Sequence, residues 1–260
     1  MKVCVLGSGS SGNCIFIGGR KTKILVDLGL SPLRVEKSLR ALGENAEGVS
    51  VIVTHAHSDH VSGIEKFCQK HTDAKVYCHV DCYEGVLSRM GSAKDKLCAV
   101  SGDFFVDEVT VTPIRVSHDV PCVGYSFLCE GKKVTVATDI GKMSSEMFES
   151  MSDSDLVVIE SNHDETLLLN NDAYSYPLKR RILSDKGHLS NASCAECVAR
   201  LARLGVKQFV LAHLSRENNY PELAFETTKE KLLCCGLCEG EHFTLEIAEQ
   251  DRMSSLFEIL

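Results

Sequence analysis

No apolar run in this 260-residue sequence approaches the roughly 20 residues that a membrane-spanning helix needs. Excess positive charge is missing too: 28 Lys and Arg stand against 36 Asp and Glu, a net charge of −8. That balance is not the footprint of a protein that clings to nucleic acid through many phosphate contacts. No linker, low-complexity run or internal repeat divides the chain, so one domain over residues 1–260 is expected. The apolar start Met1–Leu6 breaks at Gly7-Ser8-Gly9, too short for a signal-peptide core, and a cytoplasmic location is expected. The 13 cysteines are odd in number and scattered, which reads as free thiols. Cys194-x-x-Cys197 and Cys235-x-x-Cys238 match half-sites of structural zinc, but in helical stretches that spacing also places packing thiols on one face.

What is present is concentrated in His55-Ala56-His57-Ser58-Asp59-His60, directly after the apolar run 49–53. A strand ending in this loop can point His55 and His57 to one side, and Asp59 and His60 to the other. Such a set suits two neighbouring cations with nitrogen and oxygen donors, the kind zinc accepts. More ligands should then lie downstream at strand ends. His118 follows the run 109–116, Asp139 follows 134–137, and His213 follows 209–212. Each is polar and immediately C-terminal to a strand-like run, so all are expected at a shared cleft.

Strand-like runs cover 2–7, 14–18, 23–27, 49–53, 75–79, 104–116, 123–129, 133–138, 155–159, 208–211 and 242–247. Helical patterns run from Ser31-Pro32 to Leu42-Gly43, over 61–70 and 81–90, and over Ala192–Leu204 with Asn191 as cap. Strands in the middle with helices in both halves predict two sheets packed face to face with helices outside, an αββα sandwich. The apolar tail Met253–Leu260 could pack on the body or on a partner.

The set His55-x-His57-x-Asp59-His60, His118, Asp139 and His213 resembles the signature of the metallo-β-lactamase superfamily, over residues 3 to about 247. The resemblance implies that superfamily's four-layer α/β sandwich. It also implies that His55, His57 and His118 hold one metal, that Asp59, His60 and His213 hold a second, and that Asp139 bridges them. Two divalent cations are expected, Zn2+ first, with Mn2+ or Fe2+ possible. A bridging water would then lose its proton near neutral pH, so hydrolysis is the expected reaction. His57, where glutamate would favour di-iron oxygen chemistry, disfavours redox.

Further motifs narrow the resemblance. Ser10-Ser11-Gly12-Asn13, Glu160-Ser161-Asn162-His163 and Gly187-His188-Leu189-Ser190-Asn191 resemble the YycJ-like (WalJ-like) nuclease branch related to ribonuclease Z. The branch implies 5′-to-3′ exonuclease action on DNA, and DNA more than RNA is the expected partner. Asp59, Glu160 and His188 are the expected catalytic residues, the last two by their match to the proton-transfer pair of ribonuclease Z. Ser10, Ser11, Asn13, Asn162 and His163 are candidates for binding substrate. The Ser/Gly loop could cradle a phosphate or simply connect a hairpin, and His163 and His188 could equally be loop residues. Lys179-Arg180-Arg181 with Lys186 is either a solvated face or a guide for one strand. No tRNA-gripping arm is recognisable, and the 74 residues from Asp139 to His213 (213 − 139) leave little room for a cap domain. A thioester or small-ester hydrolase, glyoxalase-II-like or lactonase-like, is the alternative.

Overall fold

The computed structural model describes residues 1–259, in which two mixed sheets of seven strands pack together. In the first, β1 (Lys2–Gly7), β2 (Cys14–Gly18) and β3 (Lys23–Val26) pair antiparallel. Then β4 (Ser50–Val53), β5 (Lys75–His79) and β6 (Leu97–Val100) extend it in parallel. The second begins with the antiparallel strands β7 (Phe104–Val106), β8 (Val109–Val116), β9 (Cys122–Cys129) and β10 (Lys132–Ala137). It continues in parallel with β11 (Leu156–Glu160), β12 (Gln208–Ala212) and β13 (Thr244–Ile247). The tail returns as β14 (Phe257–Glu258) on the free edge of β1, so within the chain it packs on the body.

Strand period two builds the layers. Leu156, Val158, Val210 and Ala212 join Val3, Val5, Ile17 and Ile24 in the core between the sheets. Their neighbours Val157, Ile159, Phe209 and Leu211 face the other way. There they meet α5 (Ser145–Met151), α8 (Asn191–Arg203) and α9 (Pro221–Cys234) through Met147, Val198, Leu201 and Leu232. On the opposite side α1 (Pro32–Ala41) and α3 (Ile64–Lys70) bury Val35, Leu39, Ile64 and Phe67 against the first sheet. The expected αββα sandwich is the one found. Cys194 and Cys197 sit in the outer core, and burial pushes the Cys197 thiol up to about 12, as for an apolar packing group. All thirteen cysteines are free.

Some boundaries differ. The run 104–116 is a hairpin, β7 and β8, turned at Asp107 with φ 50°. The helix expected over 61–70 is two, α2 (Ser58–Val61) and α3, parted at Gly63, where a Cβ would sit 2.1 Å from the Leu30 carbonyl oxygen. The stretch 81–90 holds only the short α4 (Tyr83–Leu87) after a single tight turn. Ser190 rather than Asn191 caps α8, its Oγ accepting from the Ser193 N–H at 3.3 Å. Between β11 and α8 lie α6 (Glu165–Asn170) and α7 (Tyr176–Ile182). Among the described residues no helix is long and apolar enough to cross a membrane.

Candidate metal centre

Open α/β sheets present ligands beyond the C-terminal ends of their strands, and both sheets here do so toward one cleft. β3 ends into Asp27, β4 into Thr54 and His55, β8 into His118, β10 into Asp139, β11 at Glu160, and β12 into His213. Asp27, Asp139 and His213 have φ of 59°, 60° and 56°. This left-handed backbone costs a non-glycine residue about 1–2 kcal/mol, and strain of this kind gathers where side chains must be aimed. The loop carrying Asp59 is clamped from below: the Asn13 N–H donates to its carbonyl at 2.7 Å, and a Cβ on Gly29 would lie 1.6 Å from that oxygen.

Four imidazoles are fixed by their outer nitrogen. Thr54 Oγ1 donates to Asp27 Oδ2 at 2.9 Å, so it accepts from His55 Nδ1 at 3.0 Å. His60 Nδ1 donates to Asp27 Oδ2 at 2.7 Å, His118 Nδ1 to the Gly187 carbonyl at 3.2 Å, and His213 Nδ1 to Glu160 Oε1 at 2.9 Å. Each therefore turns an Nε2 lone pair inward, the arrangement that orients metal-binding histidines. His57 is reversed: its Nε2 faces Asp119 Oδ1 at 3.3 Å and its Nδ1 lies 3.3 Å from His118 Nε2.

The inward atoms form two groups around Asp139. His55, His57 and His118 bring donor atoms within 4.8 Å of one another, as do Asp59, His60 and His213. Asp139 joins His55 and His60 within the same limit. His60 Nε2 lies 3.4 Å from Asp59 Oδ2 and 3.3 Å from Asp139 Oδ2, and His213 Nε2 lies 3.3 Å from Asp59 Oδ2. Buried acceptors facing each other repel unless a cation or proton joins them. His55 Nε2 and Asp139 Oδ2 are buried with no hydrogen-bond partner at all. The donor set thus fits divalent metal. The same demand for positive charge shows in the rings: burial opposes it, but Asp27 and Asp139 push His60 up to about 10. Burial likewise works against ionised Asp59, yet hydrogen bonds from His213 and His60 hold its carboxyl far below the usual range.

Glu160 is fully buried and accepts four hydrogen bonds. Its Oε1 takes His188 Nδ1 at 2.7 Å and His213 Nδ1 at 2.9 Å; its Oε2 takes the Ile140 and Leu189 N–H groups at 2.7 and 2.9 Å. His188 keeps its ring in the cleft, and although burial would lower its pKa, the Glu160 carboxylate raises it.

The cleft, about 340 Å³, is lined by His57, Asp59, His118, Asp139, His188 and His213 at its base. Of the residues considered for substrate, Ser10 and Asn162 line it and Ser11 does not. The Asn13 amide nitrogen contacts His60 Nε2 at 3.1 Å and Asp59 Oδ2 at 3.2 Å, and its oxygen accepts from its own loop, so it supports the centre from behind. His163 is buried, does not line the cleft, and leaves both ring nitrogens without a partner. Asp27 and Asp119 were not singled out from the sequence. The signal for Asp27 was available, a polar residue directly after an apolar run; Asp119 had only its adjacency to His118. Tyr174, Leu178 and Ile182 on the far wall carried no sequence signal of a site.

A family model described as a beta-lactamase superfamily domain matches residues 22–214. The chain is 32% identical over 265 residues to Exodeoxyribonuclease WalJ of Streptococcus pneumoniae, covering 99% of this chain and 98% of that protein. It is 34% identical over 246 residues to Exodeoxyribonuclease YycJ of Bacillus anthracis, covering 93% and 92%. Among solved structures, the metallo-β-lactamase-fold protein YhfI from Bacillus subtilis superposes with a TM-score of 0.69 at 16% identity, covering 97% of this chain and 98% of that one.

Proposed function

The chain belongs to the beta-lactamase superfamily, and we propose that it is a dinuclear enzyme removing nucleotides from DNA in the 5′-to-3′ direction. It is a metal-dependent hydrolase, and a nuclease, as are the relatives whose names specify DNA. The single observation that carries the reading is the buried Glu160–His188 pair beside the converging donors. Residues 1–260 act as one hydrolase domain. The ester-hydrolase alternative has no observation in its favour.

His55, His57 and His118 would hold one cation and Asp59, His60 and His213 a second, with the Asp139 carboxylate within reach of both donor groups; zinc would suit this nitrogen-rich set. When bound, such ions bring water's pKa toward neutrality and draw charge from a phosphoryl oxygen. The protein's own groups do the rest. Glu160 fixes the His188 ring by its Nδ1, leaving Nε2 to carry a proton to the leaving oxygen. Asp59, held ionised, orients the incoming water. Ser10 and Asn162, both on the cleft lining, are the candidates to meet the phosphate. Thirteen free thiols fit a reducing cytoplasm.

The test compares a closed circular DNA with the same DNA linearised, with Zn2+ or Mn2+ added. Loss of 5′-terminal nucleotides from the linear form alone is expected. Rapid cutting of the circle would exclude an exonuclease, and cleavage of a glutathione thioester with neither DNA cut would move the chain to the ester-hydrolase class.

A further inference from the structure

The imidazoles of the donor set differ in what holds their outer nitrogen. Asp27, which serves His60 directly and His55 through Thr54, is buried, and so is Glu160 behind His213. The Gly187 carbonyl holds His118. His57 is the exception. Its side chain keeps 34% of its surface exposed, and its Nε2 faces the half-buried Asp119, with Oδ1 at 3.3 Å.

Asp119 is itself anchored from the far wall of the cleft. Its Oδ2 accepts from Arg181 of α7 at 2.7 Å, and its Oδ1 also lies 3.2 Å from His118 Nε2. The chain after α7 is stitched to the same region. The Ser117 hydroxyl donates to the Asp185 carbonyl at 2.6 Å, and a Cβ on Gly141 would lie 2.3 Å from that carbonyl oxygen. The wall therefore braces the loops after β8 and β10, which carry His118 and Asp139.

We propose that Asp119 is a positioning residue, which keeps the proton of His57 on Nε2 and so turns the Nδ1 lone pair toward His118, while Arg181 keeps the Asp119 carboxylate in place. The inference rests on the two-metal reading of the donor set and says which site depends on the cleft wall. A neutral imidazole has one N–H and one lone pair, so a carboxylate at one nitrogen decides which atom can bind a cation. His57 Nδ1 and His118 Nε2, 3.3 Å apart, then present two lone pairs that a cation joins. Without Asp119 the half-exposed His57 ring is free to take the other tautomer or to turn outward. The group of Asp59, His60 and His213 has no such dependence, because buried carboxylates back its two rings. The group of His55, His57 and His118 is the looser of the two.

The experiment uses the full chain, stripped of metal and reloaded with Zn2+ or Co2+. Competition with a chelating dye should resolve two sites in the parent. Asp119→Ala should weaken one of them about 10–100-fold, the usual loss for such a partner, and leave the other unchanged. Arg181→Ala should weaken the same site by about fivefold at most, as fits an exposed ion pair. Asp119→Asn, whose amide oxygen can still accept from Nε2, should fall between the parent and Asp119→Ala. Nitrogen-15 NMR of the zinc-loaded parent should show His57 protonated at Nε2. With Co2+ filling both sites, the absorption spectra of the parent and Asp119→Ala should coincide, because a positioning residue adds no ligand. A His57 ring protonated at Nδ1, parent-like affinity at both sites in Asp119→Ala, or a Co2+ spectrum that reports a lost ligand would each overturn the inference, and a parent that still holds two ions would leave the metal reading in place. A parent that takes up no ion would overturn both.

Discussion

Replacing Glu160 by glutamine changes one oxygen of the carboxylate into an NH₂ group and leaves its volume intact, so it probes the hydrogen bonds alone. Four donors converge on this side chain: His188 and His213 on Oε1, and the Ile140 and Leu189 N–H groups on Oε2. The amide oxygen can satisfy only one of these pairs. If it served the histidines, two buried backbone donors would face an NH₂, at a cost of about 1–3 kcal/mol each. The backbone cannot adapt, whereas an imidazole can change tautomer, so the oxygen should stay with Ile140 and Leu189. His213 must then accept at Nδ1 and carry its proton on Nε2, the atom that faces Asp59. That tautomer cannot bind metal. Loss of such an orienting partner typically weakens a site 10–100-fold, which corresponds to about 1.4–2.7 kcal/mol. The expected result for Glu160→Gln is a normally folded protein in which only one of the two proposed metal sites is weakened, measured by competition with a chelating dye. Nuclease activity should fall at least as far. Two sites as tight as in the parent, with unchanged kcat on 5′-phosphorylated DNA, would refute the argument.

Asp139→Ala should remove most of both metals and of the activity, because its carboxylate faces both donor groups; retention of two tightly held ions by elemental analysis would refute its bridging place. His188→Ala should keep its metal yet lose on the order of 10²–10³ in rate, the usual cost of a positioned proton donor; an unchanged rate would leave His188 as a loop residue. Tyr125→Phe should cost about 1–2 kcal/mol in urea unfolding, because the buried Tyr125 hydroxyl donates to the Val53 carbonyl across the sheets at 2.9 Å; unchanged stability would count against that bond. Glu108 takes hydrogen bonds from the Lys21 and Thr22 N–H groups and the Thr22 hydroxyl, which outweigh partial burial and bring it down to about 2. A depressed carboxyl stabilises the fold above its unfolded pKa and loses that contribution as pH falls through the folded one. Glu108→Gln should therefore flatten the stability curve between about pH 4.5 and 2, and a curve parallel to the parent's would count against the bond.

The sheets were legible wherever a strand is buried on both faces or alternates cleanly, as in β4 or β11, and where a glycine or proline marks its end. β6 was missed because only Leu97 of its four residues is buried, so an edge strand left no period to read. β7 and β8 merged because the turn between them is made by Asp107 in a left-handed conformation, without the glycine that normally announces one. α2 and α3 merged because the reason for their separation is the Leu30 carbonyl pressing on Gly63, a contact between residues 33 apart in sequence (63 − 30). Such boundaries are set by tertiary contact and have no local signature.

The site divides along the same line. A metal donor at the end of a strand is visible as a polar residue after an apolar run, so the imidazoles and Asp139 stand out one by one. The groups that decide which nitrogen of each ring faces inward are visible only once the strands are side by side. Glu160 shows what this changes. From the sequence it reads as a partner in proton transfer. In the fold its carboxylate has no exposure, all four of its hydrogen bonds are accepted, and although burial alone would raise its pKa, ion pairing with His188 and the surrounding hydrogen bonds lower it to about 2. A carboxylate so occupied has no proton to give near neutral pH. On the proposed mechanism its effect on catalysis would pass through the two rings it holds: His213 among the donors, and His188 in the cleft, whose raised pKa suits the proton donor that Glu160 cannot be.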